Sequence, residues 1–432
     1  MTSLRVVSRR VVGLAFVPVL ALALAGAGCR RDPGAAPSPT GDRQLDARFA
    51  FARERDPALA LRLGEALKCR AVGAALAAAG FRGEALAALR EGRVPSLPAL
   101  RPEEALLSLV VRGGELHRFL LVKGKVRALP ARPLARIEAA VIGARDELEL
   151  GEAERPEELF RRLRALDREL LEDATPVLEG VTQLVVLPDG LLRAVPFHAL
   201  VQTLAPLRFV VEERAVSQAP CLGLLRPAAG LRQSAIALLP RYRGATEEFP
   251  LEGARDELAS IERAGFRLQR VEGENATAER FERALGAPGG LVHFAGHGLP
   301  GFEAGRAPEL VFAGGGRAVS VASLGAQPGA AAVAVLGACA AAYPARFRDG
   351  VRRVPSTSLV EGLLAGGTRA VLAASWTVKD RFSARLLAGF YRDLPRVGAG
   401  RALAAAQREW RRRLVPPHPR YWGAYALYGA WR

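Results

Sequence analysis

Two short segments carry the residue types best suited to chemistry. They are Leu291-Val292-His293-Phe294-Ala295-Gly296-His297-Gly298 and Ala332-Val333-Ala334-Val335-Leu336-Gly337-Ala338-Cys339. Each is an apolar run of strand length that ends in a small-residue turn, and the turns hold His297 and Cys339. A strand buried in a parallel sheet reads as a near-continuous apolar run. Reactive groups gather at the carboxyl ends of such strands. If the two strands are neighbours, an imidazole and a thiol meet at one edge of the sheet. The thiolate is the nucleophile, and a free thiol is mostly protonated at neutral pH. A nearby imidazole can take that proton and return it to a leaving amine.

The flanking residues suit the same chemistry. Gly296 and Gly298 have no Cβ, so a peptide can approach the backbone closely. The amides of Gly298 and Cys339 are the natural pair for an oxyanion hole. A plainer reading is a core strand with an incidental histidine and an inert thiol, because free cysteine is among the most buried residue types. His293 falls inside its strand and reads as a buried, hydrogen-bonded support for the turn. A zinc site is not expected from His293, His297 and Cys339. Structural zinc takes four ligands, and catalytic zinc three plus water. Gly314-Gly315-Gly316 lacks the Lys-Ser/Thr that would make it a P-loop. No metal and no cofactor is expected. His198 and His418 read as surface or packing residues.

Further motifs tip the balance toward catalysis. The run ending in Gly296-His297-Gly298 is followed by the Cys339 turn, by Glu361-Gly362-Leu363-Leu364, and by Ala374-Ser375-Trp376-Thr377-Val378-Lys379-Asp380. Together these resemble the CHAT domain, a caspase-like peptidase family related to separases and caspases. The resemblance continues in Phe390-Tyr391-Arg392-Asp393-Leu394 and in His418-Pro419-Arg420-Tyr421-Trp422-Gly423-Ala424-Tyr425. It begins upstream with Val186-Leu187-Pro188-Asp189-Gly190 and Val195-Pro196-Phe197-His198-Ala199-Leu200, and covers roughly residues 100–432. It implies an α/β fold with a caspase-like, mostly parallel central sheet flanked by helices. It also implies that His297 and Cys339 are a catalytic dyad, cleaving a protein substrate through a thioester.

Two departures bear on substrate preference. Ala340, Ala341 and Ala342 stand where the family usually has a polar residue and a Thr-Gly step. The stretch from Tyr343 to Thr357 looks longer than the family's loop and carries Arg346, Arg348, Arg352 and Arg353. A mobile, specificity-setting loop is expected from Ala340 to Thr357. Asp380 can cap a helix or line the substrate pocket, and Trp376 goes with it as a pocket candidate. The alternative to a cysteine endopeptidase is a non-catalytic interaction or signalling module on the same fold. Either reading admits a partner protein that regulates it.

Composition bounds the rest. The chain has 432 residues, half of them hydrophobic, which is enough for two or three domains and a large core. The formal charge of +17 invites a nucleic-acid reading. Only Lys68, Lys123, Lys125 and Lys379 are lysines, and the arginines are spread along the chain. They are not interleaved with aromatics as a single-strand groove requires, so no nucleic-acid partner is expected.

The first 29 residues read as a targeting segment. Arg5, Arg9 and Arg10 precede an apolar run from Val11 to Ala25, too short for a comfortable membrane span. Ala27-Gly28-Cys29 resembles a bacterial lipoprotein processing site, although Gly26 replaces the usual leucine. Residues 30–42, with Pro33, Pro37 and Pro39, read as the tether that follows a lipid on Cys29. The expected location is outside the cytoplasm, anchored to a membrane, with simple secretion as the alternative. If Cys339 is a free nucleophile in an exported protein, Cys69 and Cys221 remain as the structural pair.

Residues 43–95 are rich in alanine and leucine at helical spacing and read as a small helical segment, either a linker or a lone tetratricopeptide-like unit. Within 100–432, residues 100–230 read as a supporting layer and 231–432 as the catalytic part. The first contains a hairpin around Gly113-Gly114, helices near 134–144 and 155–171, and strands at Leu184–Leu187 and Phe209–Val211. In the second, Thr277 caps a helix, and Ser358 with Glu361 forms a capping box. Gly366-Gly367 ends that helix, and Ala370 to Ala374 is a strand. Phe382, Leu386, Phe390 and Leu394 make one apolar stripe.

Overall fold

The computed structural model describes residues 40–93, 96–150, 156–242, 251, 253–299, 308–312, 317–326, 328–339, 341–343, 357–378 and 380–432. The targeting segment with Cys29, the Gly314–Gly316 run, Ala340, Lys379 and the four arginines between 344 and 356 lie outside the described residues.

The helical segment comes first: α1 (Thr40–Ala52), α2 (Pro57–Ala78) and α3 (Ala85–Arg90). Asp56 caps α2 by accepting from the Leu59 amide at 3.0 Å, with Pro57 at the first helical position. The next part contains β1 (Glu104–Arg112), β2 (Glu115–Val122), β3 (Lys125–Pro133), α4 (Leu134–Leu150), α5 (Glu157–Leu170), β4 (Gln183–Leu187), β5 (Val201–Leu204), β6 (Leu207–Phe209), α6 (Val210–Glu213) and β7 (Ala215–Gln218). The last part contains β8 (Ser234–Pro240), α7 (Ala254–Arg263), β9 (Arg267–Gly273), α8 (Ala278–Leu285), β10 (Leu291–Ala295), β11 (Gly298–Leu299), β12 (Glu309–Leu310), β13 (Val319–Ser320) and β14 (Val333–Gly337). It ends with α9 (Leu359–Gly366), β15 (Ala370–Ala374), α10 (Asp380–Val397), α11 (Ala399–Arg412), α12 (Pro419–Trp422) and β16 (Tyr425–Gly429).

One eleven-stranded sheet runs through the molecule in the order β3-β2-β1-β4-β7-β16-β15-β14-β10-β8-β9. The hairpin strands β1, β2 and β3 are antiparallel, and so are β15 and β16; every other neighbouring pair is parallel. Side chains alternate between its two faces. Val333 and Val335 of β14 join the cluster with Leu258 of α7, Leu386 of α10 and Leu403 of α11. Ala334 and Leu336 face the other way, toward Phe281 of α8, Leu363 of α9 and Leu76 of α2. Every position of β4, β10, β15 and β16 is buried, as the apolar runs require.

Two features differ from the sequence reading. The part before residue 231 is not a layer on the sheet but its lateral continuation, joined where Leu427 of β16 pairs with Ser217 of β7. The Phe209–Val211 strand is cut short. The Glu212 carboxylate accepts from the Phe209 amide at 2.8 Å and turns the chain into α6. Of the two roles expected for His198 and His418, surface or packing, the structure shows packing: they are 3% and 1% exposed. The capping box holds: the Glu361 amide donates to Ser358 Oγ at 3.4 Å and the Ser358 amide to Glu361 Oε2 at 3.2 Å. Gly367 ends α9 in the left-handed region at φ +118.

Candidate active site

The carboxyl ends of four adjacent parallel strands, β8, β10, β14 and β15, lie on one edge of the sheet. The register sets what meets there. Ala295 pairs with Gly337, so His297 and Cys339 each stand two residues beyond a facing pair. Tyr242 stands two residues past the end of β8 at Pro240. Both candidate residues are half-buried. The Gly296 amide donates to the Gly337 carbonyl at 3.2 Å, which carries the strand pairing one step into the two turns.

Tyr242 holds the histidine turn. Its hydroxyl accepts from the His297 amide at 2.8 Å and donates to the Val311 carbonyl at 3.0 Å. Its ring packs on the His297 imidazole with centroids 4.6 Å apart. The Val311 amide in turn donates to the His297 carbonyl at 3.0 Å. That bond flanks the Gly298–Leu310 pair of β11 and β12, marking it as a pair that exchanges no ladder bonds. The Gly298 amide therefore faces away from β12. Gly296 is required where it stands: a Cβ would come within 2.4 Å of the Tyr242 hydroxyl. A Cβ on Gly298 would come within 2.8 Å of the Cys339 carbonyl oxygen, so the two turns are in contact.

The Cys339 thiol donates to the Val378 carbonyl at 3.8 Å. Burial raises its pKa above the ordinary thiol value, and the Asp380 charge adds to the rise. Asp380 is the first residue of α10, and its carboxylate accepts from the Gly253 amide just before α7. Trp376 lies elsewhere. Its ring is 1% exposed, its Nε1 donates to the Arg420 carbonyl at 3.1 Å, and the Arg145 guanidinium lies 5.0 Å from the ring centre. The side chain is core, and the pocket placement expected for it is corrected: a ring so covered lines no open cleft.

Beneath the turns lies a buried polar group that the sequence reading only touched. His293 is fully buried, with Nδ1 2.8 Å from the Tyr391 hydroxyl and Nε2 3.0 Å from Glu257 Oε2. With the tyrosine donating to Nδ1, the ring proton sits on Nε2, close to the carboxylate but not aligned for a hydrogen bond to it. Glu257 comes from α7, and burial pushes its pKa up, opposed by His293. A Cβ on Gly337 would meet Glu257 Oε2 at 2.9 Å, so this carboxylate packs directly under the strand that leads to Cys339. Glu257 was visible in principle as a charged residue inside the apolar stripe Ala254, Leu258, Ile261. Tyr242 carried no such signal.

A buried ion pair braces the far side of the thiol turn. Arg193 Nη1 lies 2.8 Å from Glu361 Oε1, and the same carboxylate group accepts from Thr357 Oγ1 at 2.6 Å and from the Tyr343 hydroxyl at 3.3 Å. This ties the segment after β4 to Tyr343 and to Thr357. Among the described residues no group of three or more His, Cys, Asp and Glu side chains could hold a metal ion.

The CHAT domain profile matches residues 160–430. No curated protein sequence matches the chain. Among solved structures, a chain of the Saccharomyces cerevisiae separase–securin complex is similar at 11% identity and a TM-score of 0.51. The similarity covers 76% of this chain and 30% of that one, so the present chain spans less than a third of its length. The Porphyromonas gingivalis RgpB pro- and mature-domain complex is similar at 10% identity and a TM-score of 0.39, over 68% of this chain and 75% of that one. The fold is caspase-like, and with more than half of its length matched the chain belongs to the CHAT domain family.

Proposed function

We propose that the protein is a cysteine endopeptidase with Cys339 as nucleophile and His297 as general base. The observation that carries this reading is the register of β10 and β14, which sets the two residues at matched positions beyond Ala295 and Gly337. The Cys339 thiol passes its proton to His297, and sulfur attacks the scissile carbonyl carbon. The oxyanion is held by the amides of Gly298 and Cys339. The C–N bond breaks as His297 protonates the leaving amine, and water then hydrolyses the thioester. Tyr242 and Gly296 hold the histidine turn, His293 supports the strand below it, and Asp380 forms a wall of the substrate pocket. A regulatory protein partner is compatible with this arrangement.

One observation favours the non-catalytic alternative. The thiol is engaged by the Val378 carbonyl, and burial keeps it protonated. A peptide bearing a chloromethyl ketone separates the readings. Covalent labelling of Cys339, lost in both Cys339→Ala and His297→Ala, is the expected result. A folded protein that neither reacts nor cleaves any protein substrate is the non-catalytic module.

We also place the mature protein outside the cytoplasm, held to a membrane by lipid on Cys29. This rests on the basic and apolar leader and on the small residues before Cys29. Mass spectrometry of the mature N-terminus tests it: an unmodified start at Gly26 or Gly28 means simple secretion, and a retained Met1 means no export.

A further inference from the structure

Helix α2 enters the main body of the protein with polar side chains that are completely buried. Glu65 and Lys68 are both 0% exposed and lie 2.6 Å apart, Oε1 to Nζ. Lys68 Nζ also donates to the Leu187 carbonyl at the end of β4 at 2.7 Å and to Ser108 Oγ of β1 at 3.4 Å. Glu65 Oε2 accepts from the Leu222 amide at 2.8 Å. A buried pair of charges is costly unless each member is held in good geometry by further bonds. Here those bonds fix α2 against both the sheet and the turn at residue 222.

The cysteines sit beside these two anchors in sequence. Cys69 follows Lys68, and Cys221 precedes Leu222. Both are 0% exposed, and their sulfurs are 2.8 Å apart although the residues are 152 positions apart in the chain. A Cβ on Gly223 would come within 2.9 Å of Cys69 Sγ, so the turn is closed over the pair. Cys339 belongs to a different place, at the strand edge beside Val378.

We infer that Cys69 and Cys221 form a disulfide that fastens the N-terminal helical segment to the CHAT domain, leaving Cys339 as the free thiol among the described residues. The reaction is thiol–disulfide exchange with a small-molecule disulfide or a disulfide-bearing oxidoreductase. A thiolate from one cysteine attacks the oxidant's S–S bond and forms a mixed disulfide. The second cysteine's thiolate then displaces the remaining thiol. One S–S bond forms and one breaks, and the two electrons and two protons leave on the oxidant's two sulfurs. In the folded protein both thiols are sealed from solvent, and burial raises the Cys221 pKa. Exchange therefore belongs to the folding chain or to a state in which α2 and α3 have lifted away.

The staple has a structural reach beyond its own site. Cys69 and Cys221 share a packed cluster with Leu359, Val360 and Leu363 of α9 and with Tyr343 beyond the thiol turn. Fastening α2 thus stiffens the backing of the segment that carries Cys339. Closing so long a loop restricts the unfolded chain strongly.

The test uses the full chain refolded from denaturant with oxidised glutathione, and with dithiothreitol in parallel. After alkylation and digestion without reductant, the expected product is one peptide pair linking Cys69 to Cys221, two hydrogens lighter than the two peptides. The oxidised protein melts several degrees above the reduced one, and the Cys69→Ser, Cys221→Ser double variant shows no difference between the two conditions. Recovery of Cys69 and Cys221 as alkylated or glutathione-bearing peptides overturns the inference, as does linkage of either to Cys29 or Cys339. These readouts do not depend on peptidase activity, so they stand apart from the proposed function.

Discussion

Gly298 lies against the carbonyl of Cys339, close enough that a Cβ there would come within 2.8 Å of the oxygen. Two turns that begin 42 residues apart in sequence are thus in van der Waals contact, and the smallest side chain is what lets them close. The contact matters because both amides of the proposed oxyanion hole belong to these two residues.

Gly298→Ala should therefore push the turns apart while leaving the sheet intact. A displacement of about 1 Å can cost on the order of 100-fold in rate. We expect kcat/KM toward a peptide substrate to fall by roughly 10- to 100-fold, with an unchanged melting temperature. Gly296→Ala should be worse for folding, because the methyl group would collide with the Tyr242 hydroxyl that holds the His297 amide. Kinetics and thermal melts on the two variants check this order.

The thiol itself makes a second prediction. Burial raises the Cys339 pKa above the ordinary value of 9.0, and the Asp380 charge contributes to the rise. Asp380→Asn removes that charge while keeping an oxygen to accept from the Gly253 amide. The thiolate then becomes easier to form. Alkylation of Cys339 by iodoacetamide should be a few-fold faster in the variant at any pH below the thiol pKa, and the profile should move to lower pH. A profile that moves the other way, or not at all, removes Asp380 from the thiol's surroundings.

The buried His293 predicts a stability effect. Glu257→Ala leaves the imidazole's Nε2 facing an apolar gap, and a buried group that loses its partner costs about 1–3 kcal/mol. Glu257→Gln keeps an acceptor and should cost less. Tyr391→Phe removes the bond to Nδ1 and should lie between the two. Urea unfolding of the three variants ranks them, and equal losses would mean that His293 is held by packing alone.

How much of this was legible in the sequence follows from the range of each signal. The strands β10, β14 and β15 were read correctly because a buried parallel strand writes itself as a local apolar run. The capping box at Ser358 and Glu361 spans three residues and was equally plain. What stayed hidden depends on long-range partnership. Arg145 covers Trp376 and donates to the Ser375 carbonyl 230 residues away, and Arg193 meets Glu361 across 168. No short spacing announces such pairs, so Trp376 could be mistaken for a pocket residue. The lateral joining of β7 to β16 was hidden for the same reason: a half-sheet that stacks and one that extends have the same apolar strands.

The last prediction concerns acid. His198 is buried with Nε2 2.7 Å from the Gly423 carbonyl, and burial lowers its pKa from 6.5 to about 4. His418 is lowered to about 4 as well, by burial and then by the Arg420 charge. Between pH 6.5 and 4 the unfolded chain binds protons that the native state refuses. Stability therefore rises with pH across this window and is lost on acidification. For His198 the effect is on the order of 3 kcal/mol. Asp167 opposes it. Burial raises its pKa from 3.8 to about 7, so the native state binds more protons there, and stability from this group falls as pH rises from 4 to 7. Glu257, also raised by burial, acts with Asp167, and His117, lowered by burial, acts with the two histidines, so the variants rather than the parent's net slope isolate each group. His198→Gln retains a donor toward the Gly423 carbonyl without a titrating ring and should flatten that loss. Asp167→Asn removes the opposing contribution and should steepen it. Urea midpoints measured from pH 4 to 8 decide the matter, and a His198→Gln curve parallel to the parent's would show that this ring is already charged in the fold.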